Sequence, residues 1–337
     1  MEKQSKKIAV LILNWNGKEL LQRFLPSVLK YSSEAEVIVI DNASDDDSIA
    51  YLQKNFSDTR IISFEKNLGF AQGYNEALKQ VDHEFVVLLN SDVRVTENWL
   101  QDPLSFLEAN PSYVACQPKI KDEKSPNSFE YAGASGGYID VLGYPFCRGR
   151  LFDTLEEDSG QYDTVKDVFW ASGAAFFVKR KAYIETGGLD ASFFAHQEEI
   201  DLCWRFLNRG YKIACVPQST VYHLGGASLD AAHPKKTFLN FRNNLTMMLK
   251  NLPVHALPLI LVRMALDGLA GLKYIGEGRF KHFVAILKAH GSFYARIPDT
   301  LKKRGKTKPV NDSVQYKKCI LWDYFVKGNK SFQKLRW

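Results

Sequence analysis

The chain has 337 residues, which allows one large domain or two modest ones. Hydrophobic residues make up 45% of the composition and aromatic residues 13%, so a disordered protein is excluded. The charge is uneven: residues 231–337 carry 21 Lys and Arg against 5 Asp and Glu, a net charge of +16, whereas residues 1–230 carry a net charge of −10. The acidic part is typical of a soluble catalytic body. The basic part predicts an anionic partner, either a membrane surface or a nucleic acid.

The first half of the chain alternates between strand and helix patterns. Short apolar runs predict strands at residues 8–13, 36–40, 59–64 and 84–89. Helical spacing predicts helices at 18–30, 47–55, 74–80 (opened by a turn at 67–73) and 99–109. Four strands that alternate with helices predict an α/β fold with a doubly wound, mostly parallel sheet.

The pattern changes after residue 110. Strands are predicted at 114–120, 169–178, 212–217 and 220–223, with a helix inside 193–208. Residues 121–167 have little periodicity and predict a long functional loop. From residue 238 onward the chain is helical, apolar and basic. We therefore predict a catalytic domain at 1–230 and a helical extension at 231–337.

The cysteines and the N-terminal residues indicate in which cellular compartment the protein works. The five cysteines are scattered and never form a C-x-x-C pair, which argues against a zinc site and a disulfide framework. The apolar stretch at residues 8–13 is too short for a signal peptide. These features predict a cytoplasmic protein.

Polar residues and glycines follow the ends of the predicted parallel strands. They are Asn14 and Asn16 after the first strand, Asp41 and Asn42 after the second, Asn90, Ser91 and Asp92 after the fourth, and Asn67, Gly69, Gly73 and Asn75 at the turn before the third helix. Open α/β sheets bind ligands at this edge. Asp41 can accept a hydrogen bond from a pyrimidine or a ribose hydroxyl, and the glycines permit close backbone approach to a ligand. A carboxylate such as Asp92 can hold Mg²⁺ or Mn²⁺ together with phosphate oxygens.

Two common classes of nucleotide-binding protein are excluded by motif. The first strand is followed by Asn14-Trp15-Asn16-Gly17 and not by G-x-G-x-x-G, and no G-x-x-x-x-G-K-[ST] occurs. An ordinary dinucleotide-binding fold and a P-loop enzyme are therefore not expected.

The order of the motifs resembles that of the family 2 glycosyltransferases, which have the GT-A fold, invert the anomeric centre and depend on a metal. The resemblance covers residues 8 to about 230 and is strongest to rhamnosyltransferase-type enzymes of surface polysaccharide synthesis. The matching segments are residues 14–17, 39–45, 67–75, 89–93, 171–174, 187–190, 198–205 and 221–226. The resemblance implies a nucleotide diphosphate sugar as donor, with a dTDP- or UDP-sugar expected and dTDP-rhamnose as one candidate.

The resemblance also implies roles for individual residues. Asn90-Ser91-Asp92 matches the metal motif usually written D-x-D, with Asp92 as the main metal ligand, and His223 matches a histidine that completes the metal or diphosphate site. A strand-end core or turn histidine is the alternative for His223. Glu198-Glu199 matches a Glu-Asp pair whose second acid is the general base, so Glu199 is the predicted base.

The acceptor side is the third part of the implied site. Its expected residues are Trp170, Ser172, Gly173, Glu198 and Arg205. Trp170 could equally belong to the core. Arg205 lies four residues after Asp201, so an ion pair along the helix is the alternative for it.

The C-terminal region predicts contact with an anionic membrane surface. Residues 257–272 are apolar but contain Arg263 and Asp267, and they fall short of the roughly 20 residues that a transmembrane span needs. An amphipathic helix in the membrane interface fits better. Residues 302–308 add a basic cluster, and the aromatic residues near the C-terminus are Trp322, Tyr324, Phe325, Phe332 and Trp337. Packing on the catalytic domain or in a homodimer is the alternative. Nucleic-acid binding is not expected, since no recognised module occurs.

The sequence therefore predicts an inverting glycosyltransferase that transfers a sugar to a glycan or lipid-linked acceptor in bacterial surface polysaccharide synthesis. It is predicted to work at the inner face of the cytoplasmic membrane. A sugar-nucleotide nucleotidyltransferase is one alternative, but it would need a basic Gly-rich loop after the first strand. A catalytically inactive nucleotide-sugar-binding module is the other, and the presence of Asp92 and Glu199 argues against it.

Overall fold

The computed structural model describes residues 6–225, 233–308, 310 and 313–337. Residues 1–5, Gly226 of the last motif and the predicted domain boundary at 230/231 lie outside the described residues. The strands are β1 (Ile8–Asn14), β2 (Ala35–Asp41), β3 (Arg60–Ser63), β4 (Phe85–Asn90), β5 (Val93–Val95), β6 (Tyr113–Asp122), β7 (Gly137–Asp140), β8 (Pro145–Cys147), β9 (Arg150–Leu151), β10 (Thr154–Leu155), β11 (Lys166–Asp167), β12 (Ala175–Lys179), β13 (Lys212–His223) and β14 (Gln315–Tyr316). The helices are α1 (Lys18–Lys30), α2 (Ser48–Asn55), α3 (Gly69–Leu78), α4 (Gln101–Ala109), α5 (Arg180–Glu185), α6 (Glu198–Asn208), α7 (Pro234–Asn251), α8 (Leu259–Gly276) and α9 (Phe280–Lys303).

A nine-stranded sheet forms the centre of the fold, in the order β11-β13-β6-β12-β4-β1-β2-β3, with β5 paired to β13. The strands β3, β2, β1 and β4 run parallel, as the alternating pattern predicts. Strand β12 runs antiparallel between β4 and β6. Apolar side chains cover both faces of the sheet in two separate clusters, which explains why β1 and β4 are continuous apolar runs.

The register of the parallel strands brings their polar ends to one edge. Asn14 at the end of β1 pairs with Asp41 at the end of β2, and Leu13 pairs with Asn90 of β4. The predicted convergence at the carboxyl edge is therefore present.

Four predicted elements differ from the structure. Helix α3 begins at Gly69, so the predicted turn at 67–73 is mostly helix. The strand predicted at 169–178 is reduced to β12, because the Ser172 side chain binds backbone groups at Ala132 and Ala174 in place of a ladder. The two strands predicted at 212–217 and 220–223 are one strand with a register shift after Val216, where Pro217 lacks an N–H to donate.

The fourth difference concerns the predicted loop at 121–167, which is largely β-structure. Strands β7 to β10 form a second, five-stranded sheet together with β14 from the far end of the chain. These strands are two to four residues long, too short to show a periodicity of two in the sequence.

Helices α7, α8 and α9 pack together on the catalytic body. A hydrogen bond of 2.8 Å joins Thr237 in the first turn of α7 to His282 in the first turn of α9, and Arg304 after α9 donates to Leu249 O near the end of α7. Helices α7 and α9 therefore run in the same direction.

Helix α8 turns its charged side inward. Arg263 binds Asp267 (2.8 Å) and Asn244 of α7 (2.5 Å), and its guanidinium lies over the Tyr144 ring. The outward side is apolar: Leu261 is 69% exposed, and Leu269 and Leu272 are each 61% exposed. The predicted amphipathic helix is present, but its polar face binds protein and its apolar face is uncovered.

One described segment, Val254–Gly276, is long and apolar enough to cross a membrane, with a mean hydropathy of 1.4. Length and composition are the only grounds for that reading, and core helices of soluble proteins meet the same criterion. The inward Arg263–Asp267 pair ties this helix to the catalytic body.

Candidate active site

The ends of β1 and β2 form a polar cluster around Asp41. The Asn14 side chain donates to Asp41 Oδ1 (3.3 Å) and to Ser44 Oγ (3.1 Å), and the Ser44 N–H donates to Asp41 Oδ2 (3.2 Å). Asn16 is tied to the same turn, because its N–H donates to Ser44 Oγ and its side chain accepts from the Asp45 N–H. The Asp41 carboxylate is thus fixed at the sheet edge, in position to accept from a ligand.

A second polar cluster shapes the start of α3. The Asn42 amide donates to Asn67 Oδ1 (2.9 Å) and accepts from the Leu68 N–H (2.9 Å). The Gly69 N–H also donates to Asn67 Oδ1 (2.8 Å), and Gly69 has φ of +76°, a conformation that favours glycine. These contacts hold the first turn of α3 beside the ends of β1 and β2.

Asp92 and His223 meet just beyond the end of β4. His223 Nε2 lies 3.1 Å from Asp92 Oδ1 and 3.4 Å from the Asn90 amide. Glu130 Oε1 lies 3.2 Å from the other ring nitrogen, Nδ1. Burial alone would lower the pKa of His223, but the carboxylates of Glu130 and Asp92 raise it to about 10. The pocket therefore attracts positive charge strongly.

The predicted base lies at the beginning of α6. Glu198 is only 5% exposed, whereas Glu199 is partly open beside Phe70 and Gly173. Each carboxylate has one buried oxygen with no hydrogen-bond partner among the described residues. Burial raises the pKa of Glu199 to about 7, and burial together with the neighbouring Glu199 charge raises the pKa of Glu198 well above its usual value. The shift of Glu199 favours proton uptake near neutral pH.

The loop that leads into α6 is strained. Phe194, His196 and Gln197 have φ near +70°, which is unusual for residues other than glycine. Asn243 of α7 holds the loop by donating to the carbonyls of Ala195 and His196, both at 2.8 Å. Such strain persists where surrounding contacts enforce it, and it concentrates at functional sites.

Residues 173–174 link the two halves of the site. The Asn90 N–H donates to Ala174 O (3.0 Å), and a methyl group built on Gly173 would lie 4.0 Å from Glu199 Cγ. Asn90, which lies next to the Asp92–His223 pair, and Glu199 therefore both lie beside one short segment.

The sequence profile of the family described as "Glycosyl transferase family 2" matches residues 9–183, just over half of the chain. The chain belongs to this glycosyltransferase family. It is 26% identical over 258 residues to the N-acetylglucosaminyl-diphospho-decaprenol L-rhamnosyltransferase of Mycobacterium tuberculosis, covering 69% of this chain and 83% of that protein. The predicted family and the resemblance to rhamnosyltransferase-type members are thus confirmed.

Solved structures agree on the fold. The mannosyltransferase PcManGT from Pyrobaculum calidifontis, in complex with GDP-Man and Mn²⁺, superposes with a TM-score of 0.54 at 14% identity, covering 86% of this chain and 87% of that one. Residues 1–349 of S. aureus TarS, in complex with UDP-GlcNAc, give a TM-score of 0.56 at 17% identity, covering 88% and 83%. The glycosyltransferase therefore has the GT-A fold with a helical C-terminal region.

Asp92 and His223 are the residues that would hold a divalent cation. The cation would take the place of the proton between His223 Nε2 and Asp92 Oδ1, which lie 3.1 Å apart. Glu130 at Nδ1 leaves Nε2 for the ion, an arrangement that orients metal-binding histidines. No group of three or more His, Cys, Asp or Glu side chains is arranged for a metal within the described ranges. A diphosphate and water would supply the remaining ligands.

Several predicted site residues make internal contacts. Asn75 binds Leu189 N and O and accepts from the Tyr183 hydroxyl (2.7 Å). A methyl group on Gly73 would lie 2.9 Å from Leu13, so this glycine permits close packing of α3 on β1. Ser91 is partly exposed between Asn90 and Asp92. A binding role for these residues stays a prediction.

The predicted acceptor-side residues are also tied into the fold. Trp170 is 3% exposed and donates to Tyr138 O (2.9 Å), as the core alternative requires. Ser172 accepts from Ala174 N and donates to Ala132 O. Arg205 forms the expected pair with Asp201 (2.8 Å) and donates to Thr186 O and Gly188 O. Among the five, Gly173 lies beside the predicted base Glu199, and Glu198 is the buried residue that precedes this base in α6.

Sequence reasoning missed Glu130 and the cluster around Asp201. Glu130 lies in a segment without periodicity, so no spacing pointed to it. Asp201 is fully buried and binds Lys250 (2.9 Å) and Asn251 (2.8 Å) at the end of α7. Burial alone would raise the pKa of Asp201, but Arg205 and Lys250 outweigh burial and hold it below its usual range. Helix α7 therefore braces the helix that carries Glu199.

Proposed function

We propose that this glycosyltransferase moves a sugar, with inversion, from a nucleotide diphosphate donor to a hydroxyl of a lipid-linked glycan in bacterial surface polysaccharide synthesis. The observation that supports the proposal is that Asn90, which lies next to the Asp92–His223 pair, and Glu199 both lie beside residues 173–174. The relative from M. tuberculosis, whose name specifies a diphospho-decaprenol acceptor, supports the class of acceptor.

The chain's own groups suit a direct displacement. Asp41 and Asn14 bind the nucleoside, and Asp92 and His223 hold the diphosphate end of the donor. Bound Mg²⁺ or Mn²⁺ supplies positive charge to the departing diphosphate. Glu199 takes the proton of the acceptor hydroxyl as its oxygen attacks the anomeric carbon from the opposite side. The C1–O bond to the diphosphate breaks, and the configuration at C1 inverts.

A transfer assay tests the proposal. The full chain is incubated with UDP-, dTDP- and GDP-sugars, Mn²⁺ and polyprenyl-diphosphate-linked glycans, and the product's anomeric configuration is read by NMR. Inverted product is expected. Retention of configuration would contradict the mechanism. Formation of a nucleotide sugar from a nucleoside triphosphate and a sugar 1-phosphate would favour a nucleotidyltransferase, and binding without turnover would favour an inactive module.

The nucleotide role of Asp41 gives a first prediction. Asp41→Ala should weaken UDP or dTDP binding by about 10- to 150-fold, because a hydrogen bond to a charged group contributes about 1.5–3 kcal/mol. Isothermal titration calorimetry measures the change. Asp82→Ala is the matched control, since the Asp82 side chain is fully exposed before β4, at the opposite edge of the sheet. An unchanged affinity in Asp41→Ala would exclude this role.

We further propose that α8 contacts an anionic membrane surface. Its outward face is apolar, and the region carries a net charge of +16. Each basic residue near an anionic surface contributes about 1 kcal/mol, and salt screens that attraction. This placement supports a cytoplasmic protein held at the inner membrane face. A homodimer that buries the same apolar face is the competing arrangement.

Vesicle co-sedimentation of the full chain separates the two arrangements. Binding should require anionic lipid, fall at high salt, and be lost in Leu261→Glu/Leu269→Glu. Ile184→Glu, which adds a charge at an exposed apolar residue of α5, should bind like wild type. If wild type ignores anionic vesicles at low salt and sediments as a dimer in ultracentrifugation, the face is a dimer contact.

A further inference from the structure

An apolar groove of about 490 Å³ lies between the first turns of α7 and α9. Its floor and walls include Phe238 of α7 and Phe280, Val284 and Ala285 of α9. Pockets of this size are typical of small-molecule sites. The groove is lined by hydrocarbon and can accept a short apolar chain.

Three lysines give the groove a positive rim. Lys235, Lys281 and Lys288 line it, and none of them forms an ion pair with an acidic side chain within the part of the chain that the structure describes. Because α7 and α9 run in the same direction, their N-terminal ends meet here and add positive potential. The groove therefore combines an apolar interior with an anion-binding edge.

The groove adjoins the proposed acceptor side. Lys235 Nζ lies 5.0 Å from the centroid of the Phe194 ring, in the strained loop that leads into α6 and Glu199. The other side of Phe194 faces Gly69, since a methyl group there would lie 3.6 Å from the ring. A ligand whose anionic group lies at Lys235 would thus present its next chemical unit toward the reacting groups.

We infer that the groove binds the lipid end of the acceptor: the first isoprenoid segment lies among Phe238, Phe280 and Val284, and the diphosphate lies on the three lysines. This inference rests on the proposed function, because it assigns a place to that function's acceptor. An apolar chain joined to a diphosphate matches both chemistries of the groove. An acidic peptide or nucleic acid would satisfy the lysines but leave the hydrocarbon lining unmatched. Helix α8 ends four residues before α9 begins at the groove.

Binding of farnesyl diphosphate, a soluble short isoprenoid diphosphate, tests the inference. The measurement is made below its critical micelle concentration with saturating UDP and Mn²⁺, so that the donor diphosphate site is filled. Wild type should bind farnesyl diphosphate at least about 10-fold more tightly than farnesol or inorganic pyrophosphate, because each of those offers one of the two chemistries. Equal binding of pyrophosphate and farnesyl diphosphate would indicate a plain phosphate site and overturn the lipid assignment.

Two groove variants and one matched control complete the design. Lys281→Gln/Lys288→Gln should weaken farnesyl diphosphate binding at least about 10-fold, because it removes charge-assisted contacts to the diphosphate. Val284→Glu should weaken it at least as much, because it places a carboxylate in the apolar lining. Lys306→Gln/Lys308→Gln removes the same charge from exposed lysines elsewhere in the basic region and should bind like wild type. Unchanged UDP affinity and thermal stability show that the variants are folded.

The outcomes separate this inference from the proposed function. If wild type transfers sugar to lipid-linked acceptors but the groove variants keep wild-type farnesyl diphosphate affinity and acceptor KM, the groove assignment is wrong and the proposed function stands. If the variants lose farnesyl diphosphate binding but no lipid-linked acceptor is glycosylated, the groove is a lipid site and the proposed acceptor is wrong.

Discussion

Asp92→Ala will abolish sugar transfer while the fold persists. Asp92 follows β4 by two residues at the edge of the sheet, and its carboxylate lies 3.1 Å from His223 Nε2. In the proposed mechanism, Asp92→Ala loses the ion that would neutralise the leaving diphosphate, which removes several kcal/mol of transition-state stabilisation, about 10³-fold or more in rate. Transfer rate and Mn²⁺ binding by EPR should fall together, with the circular dichroism spectrum unchanged.

Glu130→Gln should lower metal affinity and activity less than Asp92→Ala does. It removes the carboxylate that faces His223 Nδ1 but leaves the proposed ligands in place. Mutation of such outer partners typically costs about 10- to 100-fold in metal affinity or activity. Wild-type activity in excess EDTA would rule out metal-assisted transfer, and normal activity in Asp92→Ala would rule out Asp92 as the metal ligand.

Glu199→Gln should lower the transfer rate by about 10²- to 10⁴-fold, the usual contribution of a general base. The amide keeps the shape of the side chain but cannot take the acceptor's proton. Donor affinity should stay at the wild-type value, because Glu199 faces the acceptor side. Glu198→Gln is the matched control. An active Glu199→Gln together with an inactive Glu198→Gln would transfer the role to Glu198.

The pH dependence of the transfer rate also tests Glu199 as the proposed base. Burial raises the pKa of Glu199 to about 7, so the rate should rise with pH through that value as the carboxylate ionises. Glu199→Gln should lack this rise. The folded-state pKa exceeds the unfolded value, so ionisation of Glu199 lowers the free energy of unfolding as pH rises from about 4.5 to about 7, and the loss is complete above that. Glu199→Gln should therefore melt at a higher temperature than wild type at pH 8.

The cluster of polar residues at the edge of the sheet could be predicted from the sequence, because it depends only on which residue follows each strand. Asn14, Asp41 and Asn90 each follow an apolar run, and parallel pairing brings any such residues to one edge. The second sheet could not be predicted, because one of its strands, β14, lies far along the chain from β7, the strand with which it pairs. Glu130 belongs to this region, so its contact with His223 had no local signal.

The orientation of α8 marks another limit of the sequence. The spacing of Arg263 and Asp267 places them on one face of the helix, but helical periodicity does not show whether that face contacts water or protein. In the structure the face contacts protein, because the Arg263 guanidinium donates to Asn244 and lies over the Tyr144 ring. Buried charges of this kind are stable only when they are paired and hydrogen-bonded, and the sequence does not show the partners.

The buried carboxylate of Asp201 makes the two predicted domains poor candidates for separate expression. A chain cut after residue 230 would keep Asp201 and Arg205 but lose Lys250 and Asn251, and it would also lose strand β14 from the second sheet. Removing one partner of a buried ion pair costs about 3–5 kcal/mol, a large part of the total stability of an ordinary domain. We therefore expect the catalytic body and the helices beside it to unfold together, because α7, which lines the proposed lipid groove, also supports the helix that bears the proposed base.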